Sequence, residues 1–471
     1  MNKIVALALC LIVGIKVPAQ EVLSLKKCIE TAIENNIDVL RSVNTADRGN
    51  INRQQAKFNQ LPDLNVAISP SVNMGRSIDP FTNTYTDQQN NSTSFGVGSG
   101  VILFNGLSMQ SSVKQTAAAW KANKAGIQQQ ADNIRIAVIL AYLQALSNQE
   151  LLVQANQQFD LSTEQVKRMT ILDNEGSIKP SELSDLRGQV ANDQLSIISI
   201  TNNLATAFVE LCRLMNIPYT SGMAVERLNT DSLMLDYTAD KAIVYQTALA
   251  GLAQIKALEF NTDAARWGVK VQKGKLYPTL RFDSYLNTYY SSAARTNILL
   301  NSGIAPSDDF VTIGGQNIAV NKAFANYDSR PIDNFEQFKN NRYSNFGLTL
   351  QVPILNNFRA RNNVKLAKID YKEAQQLAAA GKTQLQLNIE QAYQNLLTGS
   401  DRYKTLLQQI KDYQQSFNAA TARFNEGVGN SIDYLTAKNN LDRANSNLIA
   451  ARYDFILRTK ILDFYQGKPL W

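Results

Sequence analysis

Apolar residues recur at two periods along this chain, and each pattern occurs twice. Leu183, Val190, Ile197, Leu204 and Leu211 are spaced by seven, as are Tyr434, Leu441, Leu448, Phe455 and Leu462. Ile389, Leu396, Tyr403, Ile410, Phe417 and Phe424 form another stripe of sevens, matched by Val138, Ala145, Leu152, Phe159 and Val166. Sustained sevens predict α-helices that supercoil left-handedly on partners. One offset of 251 residues relates the stripes: Phe95-Gly96 recurs as Phe346-Gly347, and Asn174-Glu175-Gly176 as Asn425-Glu426-Gly427. The chain is therefore an internal duplication.

The second period is two. Leu64, Val66, Ile68, Val72 and Met74 alternate with Asn65, Ala67, Ser69, Ser71 and Asn73. Phe95, Val97, Val101 and Leu103 alternate with Gly96, Gly98 and Gly100. The second copy repeats the theme with Leu280, Phe282 and Leu286, then with Phe346, Leu348, Leu350, Val352 and Ile354. These are strands with one apolar and one polar face, at about 63–75, 93–104, 279–292 and 344–355. Pro62 and Pro278 stand just before the first strand of each copy, where helix gives way to strand. They are offset by 216, so the second copy carries 35 extra residues, placed in a polar loop at about 293–343.

Such strands cover a soluble core or face lipid on one side and water on the other. Four cannot close a barrel, and an open edge in lipid leaves backbone groups unpaired. On the membrane reading, other copies complete the wall, and three copies give twelve strands. No uninterrupted apolar run after residue 19 reaches the length of a spanning helix, so insertion falls to the strands.

Long helical hairpins follow the strands, at about 107–216 and 358–466, turning at Gly176 and Gly427. A shorter helix opens each copy. The copies run from 20 to 220 and from 239 to 471, with a linker at 217–240. Lys3, the apolar run 4–15 and Val17-Pro18-Ala19 read as a secretion signal cleaved after Ala19. Leu9 before Cys10 is too large for a lipidation site.

Histidine is absent, which removes the commonest general base and metal ligand. No nucleophile–base pair stands out, and the chain reads as neither an enzyme nor a cofactor protein. The net charge of +7 comes from 47 basic and 40 acidic residues with no basic run, a poor match to nucleic-acid binding. Cys28 and Cys212 remain after the signal; pairing and two buried thiols are both open.

The signal, duplication, paired strands and long hairpins together resemble the TolC-type outer-membrane efflux protein family. The second tip, Arg423-Phe424-Asn425-Glu426-Gly427-Val428-Gly429, is similar to the family's tip motif, and Arg168 through Gly176 matches it more loosely. The resemblance implies a mainly α fold with membrane β-structure: a homotrimer with a twelve-stranded barrel in outer-membrane lipid and a coiled-coil tunnel in the periplasm. It implies a passive exit duct for drugs, other small molecules or metals, without cofactors. A periplasmic membrane-fusion adaptor would meet the tips at Gly176, Ser177, Arg423, Phe424, Gly427, Val428 and Gly429. That adaptor would bridge to an inner-membrane transporter of RND or ABC type. Glu182, Asp185 and Asp433 match acids that narrow the family's periplasmic gate, and first-turn acids that favour a helix N-terminus would sit there too. The linker would join an equatorial belt. Gly429 stands where some members carry a basic lock. The alternatives are the exit duct of a type I protein secretion system and a non-transport coiled-coil structural protein.

Overall fold

The computed structural model describes residues 22–79, 83–86, 89–228, 240–468 and 470. The expected signal segment and residues 229–239 of the linker lie outside them. The first copy comprises β1 (Val22–Leu23), α1 (Leu25–Asn35), α2 (Ile37–Phe58), β2 (Asn65–Asn73), β3 (Ser77–Asp79), β4 (Thr84–Thr86), β5 (Asn90–Phe104), α3 (Ser108–Asn174) and α4 (Pro180–Met215). After β6 (Ala224–Val225), the second comprises α5 (Lys241–Gly251), α6 (Ala253–Gly274), β7 (Thr279–Ser291), β8 (Arg295–Ile313), β9 (Gln316–Pro331), α7 (Asn334–Asn340), β10 (Tyr343–Gln351), α8 (Arg359–Asn425) and α9 (Ser431–Tyr465).

The single opening helix expected in each copy is two helices. Asn36 breaks the first with extended backbone (φ −65°, ψ 128°), and Leu252, 216 residues on, breaks the second (φ −65°, ψ 131°). The Asn36 amide donates to the Leu214 carbonyl, and its side-chain oxygen accepts from the Asp38 N–H. It thus caps α2 and ties it to the end of α4.

The chain divides into two compact units. Among the described residues, the helical unit holds 22–52, 116–228, 240–265, 370–468 and 470. Its main core packs Cys28, Val138, Tyr142, Ala145, Leu146, Leu211, Met215 and Ile456. Tyr142, fully buried, sets its hydroxyl 2.9 Å from the Leu23 carbonyl and 2.8 Å from that of Glu226. It thereby pins β1 and the residue that follows β6, and β1 and β6 pair in parallel.

Cys28 and Cys212 are both buried free thiols. Burial, with Cys212 nearby, pushes the Cys28 thiol up to about 12. Since only the thiolate is nucleophilic, maleimide at neutral pH should leave both cysteines unlabelled in the native protein and label both in denaturant. Rapid labelling of the native protein, measured by mass spectrometry, would contradict this packing.

Two helices, α3 and α4, contain windows apolar enough by length and composition to cross a bilayer. These windows tolerate scattered polar residues and so differ from the uninterrupted apolar run whose absence the sequence showed. Half of the α3 window is buried within the protein, so packing accounts for much of its apolarity.

The second unit holds residues 53–115 and 266–369. Its main sheet has the order β10-β7-β5-β2, with every neighbouring pair antiparallel. The register brings many of the apolar residues together. Val66 faces Val97, which faces Leu286, while Val101 faces Phe282, which faces Leu348. A shift of one residue would send each apolar set to the other face. The opposite face carries Gly96 against Asn287, Gly98 against Tyr285 and Gly100 against Asp283. A Cβ at Gly98 would meet the Tyr285 ring at 3.0 Å, so the glycines let large polar side chains lie flat there.

The stretch expected as a loop at 293–343 is ordered instead. The β8–β9 ribbon and α7 fill it, because residues such as Ile298, Leu299, Phe310, Ile318 and Phe324 suit strands despite the Asn and Ser between them. Buried Gln337 anchors α7, accepting from the Ser291 N–H at 2.9 Å and donating to the Ser291 and Ile332 carbonyls. Phe338 packs edge-on against Phe95 at 4.6 Å. Pro62 lies between α2 and β2, and Pro278 immediately precedes β7.

Candidate functional site at the hairpin tips

Both hairpins turn by the same physical device. The Ser177 N–H donates to the Leu172 carbonyl and the Val428 N–H to that of Arg423, closing helix ends whose carbonyls lack partners. The intervening glycines carry φ of +68° at Gly176 and +73° at Gly427, which residues with a Cβ rarely adopt. Pro180 is the first residue of α4: it starts the return helix, where its missing N–H costs nothing, as well as following the stop. Asn430 caps α9, its side chain accepting from the Asp433 N–H at 2.8 Å.

Gly176, Ser177, Arg423, Gly427 and Val428 are exposed, and nothing crowds either turn glycine. Gly429 is different: a Cβ there would meet the Phe424 N and Arg423 backbone at 3.1–3.2 Å. Close approach to the end of α8 therefore favours glycine at the place of the basic lock. Phe424, expected at the contact surface, points inward. It stacks on Tyr434 at 5.0 Å in a small core with Met169, Leu183 and Leu186. Its role in this structure is to hold the two hairpins together beneath their turns.

The three acids have different surroundings. Glu182 is half-buried in the first turn of α4, and Asp433 is exposed in that of α9. Asp185 instead accepts a 2.9 Å hydrogen bond from the Ser431 hydroxyl at the start of α9. It ties one hairpin to the other, as does Arg168, whose guanidinium donates to the Asn425 side chain at 2.7 Å.

A buried polar cluster behind the tips escaped the sequence reading. Lys438 of α9 is 1% exposed, and its ammonium lies 2.7 Å from Asp442 and 3.2 Å from Asp193 of α4. Asp193 also accepts from the Ser162 hydroxyl of α3 and from the Gln189 amide. Burial pushes the Asp442 carboxyl up, and the adjacent Lys438 ammonium opposes the shift. One signal was present in the sequence: Leu186, Ile200, Ala207 and Leu214 fit a stripe of sevens that Asp193 interrupts. Among the described residues, no group of acids, cysteines or histidines could hold a metal ion.

A duplicated chain with paired long hairpins and a sheet with one predominantly apolar face fits a channel protein of the outer membrane. The chain belongs to the outer membrane efflux protein family, whose sequence model matches residues 28–216 and 244–463. It is 28% identical over 167 residues to the outer membrane protein TolC of Vibrio cholerae serotype O1, a match spanning 35% of this chain and 36% of that relative. The fold is similar to that of VceC from Vibrio cholerae, with a TM-score of 0.74 at 14% identity over 95% of this chain and 97% of that one. It is also similar to the CmeC outer membrane channel of Campylobacter jejuni, with a TM-score of 0.71 at 15% identity over 94% and 85%.

Proposed function

We propose that three copies of this chain close a twelve-stranded barrel and act as the passive exit duct of a tripartite efflux assembly, exporting small molecules or metals. The observation that carries this reading is the four-stranded sheet. One of its faces is predominantly apolar, and among the described residues its outer strands β2 and β10 each keep an unpaired edge in the single chain. In lipid such edges are too costly to leave open, so β10 of one copy would pair with β2 of the next. Residues 1–19 would be the secretion signal and 217–240 part of an equatorial belt around the helical tunnel. The exposed tip residues would receive a periplasmic adaptor that bridges to an inner-membrane transporter, which supplies the energy. Native mass spectrometry in detergent should find three chains, and cysteines introduced at facing positions of β2 and β10 should cross-link between copies. A monomer that conducts no ions in planar bilayers would sink the reading.

The acids at the return-helix starts would form the narrow gate. Three copies would bring Glu182 and Asp433 together as rings of carboxylates, which concentrate cations. Asp185, already bonded to Ser431, would hold the hairpins in register. The double variant Glu182→Ala, Asp433→Ala should therefore lower cation preference several-fold in single-channel reversal potentials while Asp185→Ala changes it less. Unaltered selectivity in an intact trimer would remove the acids from the gate.

A further inference from the structure

The positive charge of this protein is concentrated by its topology. In the antiparallel sheet, β2 begins, β5 ends, β7 begins and β10 ends along one edge. The four chain segments at that edge, 53–62, 105–115, 266–278 and 355–369, all belong to the second unit. They contain eleven Lys and Arg and no Asp or Glu. The other 36 basic residues are outnumbered by the 40 acidic ones, so this edge accounts for the whole excess of positive charge. Of the eleven, Arg53 is half-buried and the rest are exposed.

Large aromatic side chains share the edge. Two ammonium groups lie close to the Trp267 ring, Lys270 at 4.0 Å and Lys114 at 4.5 Å from its centroid. Phe58, Tyr277 and Phe358 are each more than half exposed. Aromatic rings mixed with Lys and Arg beside an apolar surface are the composition of a membrane–water interface. Here the apolar face of the sheet begins within a few residues, at Val66, Val101, Leu280 and Leu350.

We propose that this edge is a binding belt for the headgroups of anionic glycerophospholipids in the leaflet next to the helices. The inference rests on the barrel reading above and adds a lipid class to it. Ammonium and guanidinium groups would pair with headgroup phosphates, and the aromatic rings would set the depth of the edge in the interface. These segments hold no carboxylate of their own, and Asp63 and Asp370 border them, so cations predominate along the belt. Zwitterionic phosphatidylethanolamine and phosphatidylcholine would gain less from it than phosphatidylglycerol.

The test uses the full chain in vesicles of phosphatidylcholine, with and without a quarter phosphatidylglycerol. Association of spin-labelled phosphatidylglycerol and phosphatidylcholine with the protein is compared. A few cations acting together should give roughly a five-fold or larger preference for phosphatidylglycerol at low salt, weakened at high salt. The triple variant Lys270→Gln, Lys365→Gln, Lys368→Gln should lose most of that preference. A control removing three cations from the helical unit, Lys26→Gln, Lys167→Gln, Lys411→Gln, should keep it. Equal association of both lipids in an inserted, conducting protein overturns the belt and leaves the barrel standing. A triple variant that changes only ion selectivity also overturns the belt, because it places these cations in the lumen. Failure to insert into any vesicle overturns the barrel reading and the belt with it.

Discussion

Replacing Lys438 by methionine is expected to destabilise the helical unit by about 3–5 kcal/mol, the usual cost of breaking a buried ion pair by removing one partner. Methionine fills similar space, so packing loss is small and the effect is electrostatic. Asp193, only 8% exposed, would keep its bonds from Ser162 and Gln189 but lose the charge that balances it. The two carboxylates share one ammonium, so their substitutions should differ. Asp442 is the more exposed of the two, and its carboxyl is held above its ordinary range. A raised carboxyl contributes its full stabilisation below that range and loses it as pH rises past it. Asp442→Asn should therefore be near neutral or mildly stabilising at pH 7, whereas Asp193→Asn should destabilise. Hydrogen exchange across 155–195 and 430–445 would read these changes locally. Unchanged protection in Lys438→Met would show that the cluster does not hold the hairpins.

Arginine at Leu286 should prevent insertion of the barrel. Leu286 lies mid-strand on the apolar face, between Val97 and Ser344. One arginine on the lipid face near the midplane costs about 2–4 kcal/mol. Threefold repetition raises that to about 6–12 kcal/mol per barrel. Asn287→Arg, one residue on, occupies the polar face against Gly96 and should insert normally. Recovery of heat-sensitive trimers from vesicles measures both variants. If Leu286→Arg inserts and Asn287→Arg does not, the lipid and water faces have been assigned the wrong way round.

Periodicity carried much of the architecture because it is a local property. A stripe of sevens must become a helix face and an alternating segment a strand face, whatever surrounds them. The turn glycines were legible for the same reason, since a positive φ is a demand of one residue. Features that depend on distant partners were not legible. The break at Asn36 depends on the Leu214 carbonyl, 178 residues away. Phe424 matched a surface motif, yet it faces inward because Tyr434 waits on the return helix. The β8–β9 ribbon hid in a polar composition because its two strands stabilise each other across the turn at Gly314-Gly315, a relation neither strand displays alone.

The sequence by itself determined that the chain is a duplicated unit of paired strands and long helical hairpins. Those conclusions follow from spacing along the backbone. Only the tertiary structure decided how charge is used. Lys438 and Asp193 are 245 residues apart, and folding makes them a buried pair. No basic run appears along the chain, yet four separated segments deliver their cations to one edge of the sheet. Electrostatic energy depends on distance in space, and a linear reading measures only distance along the chain.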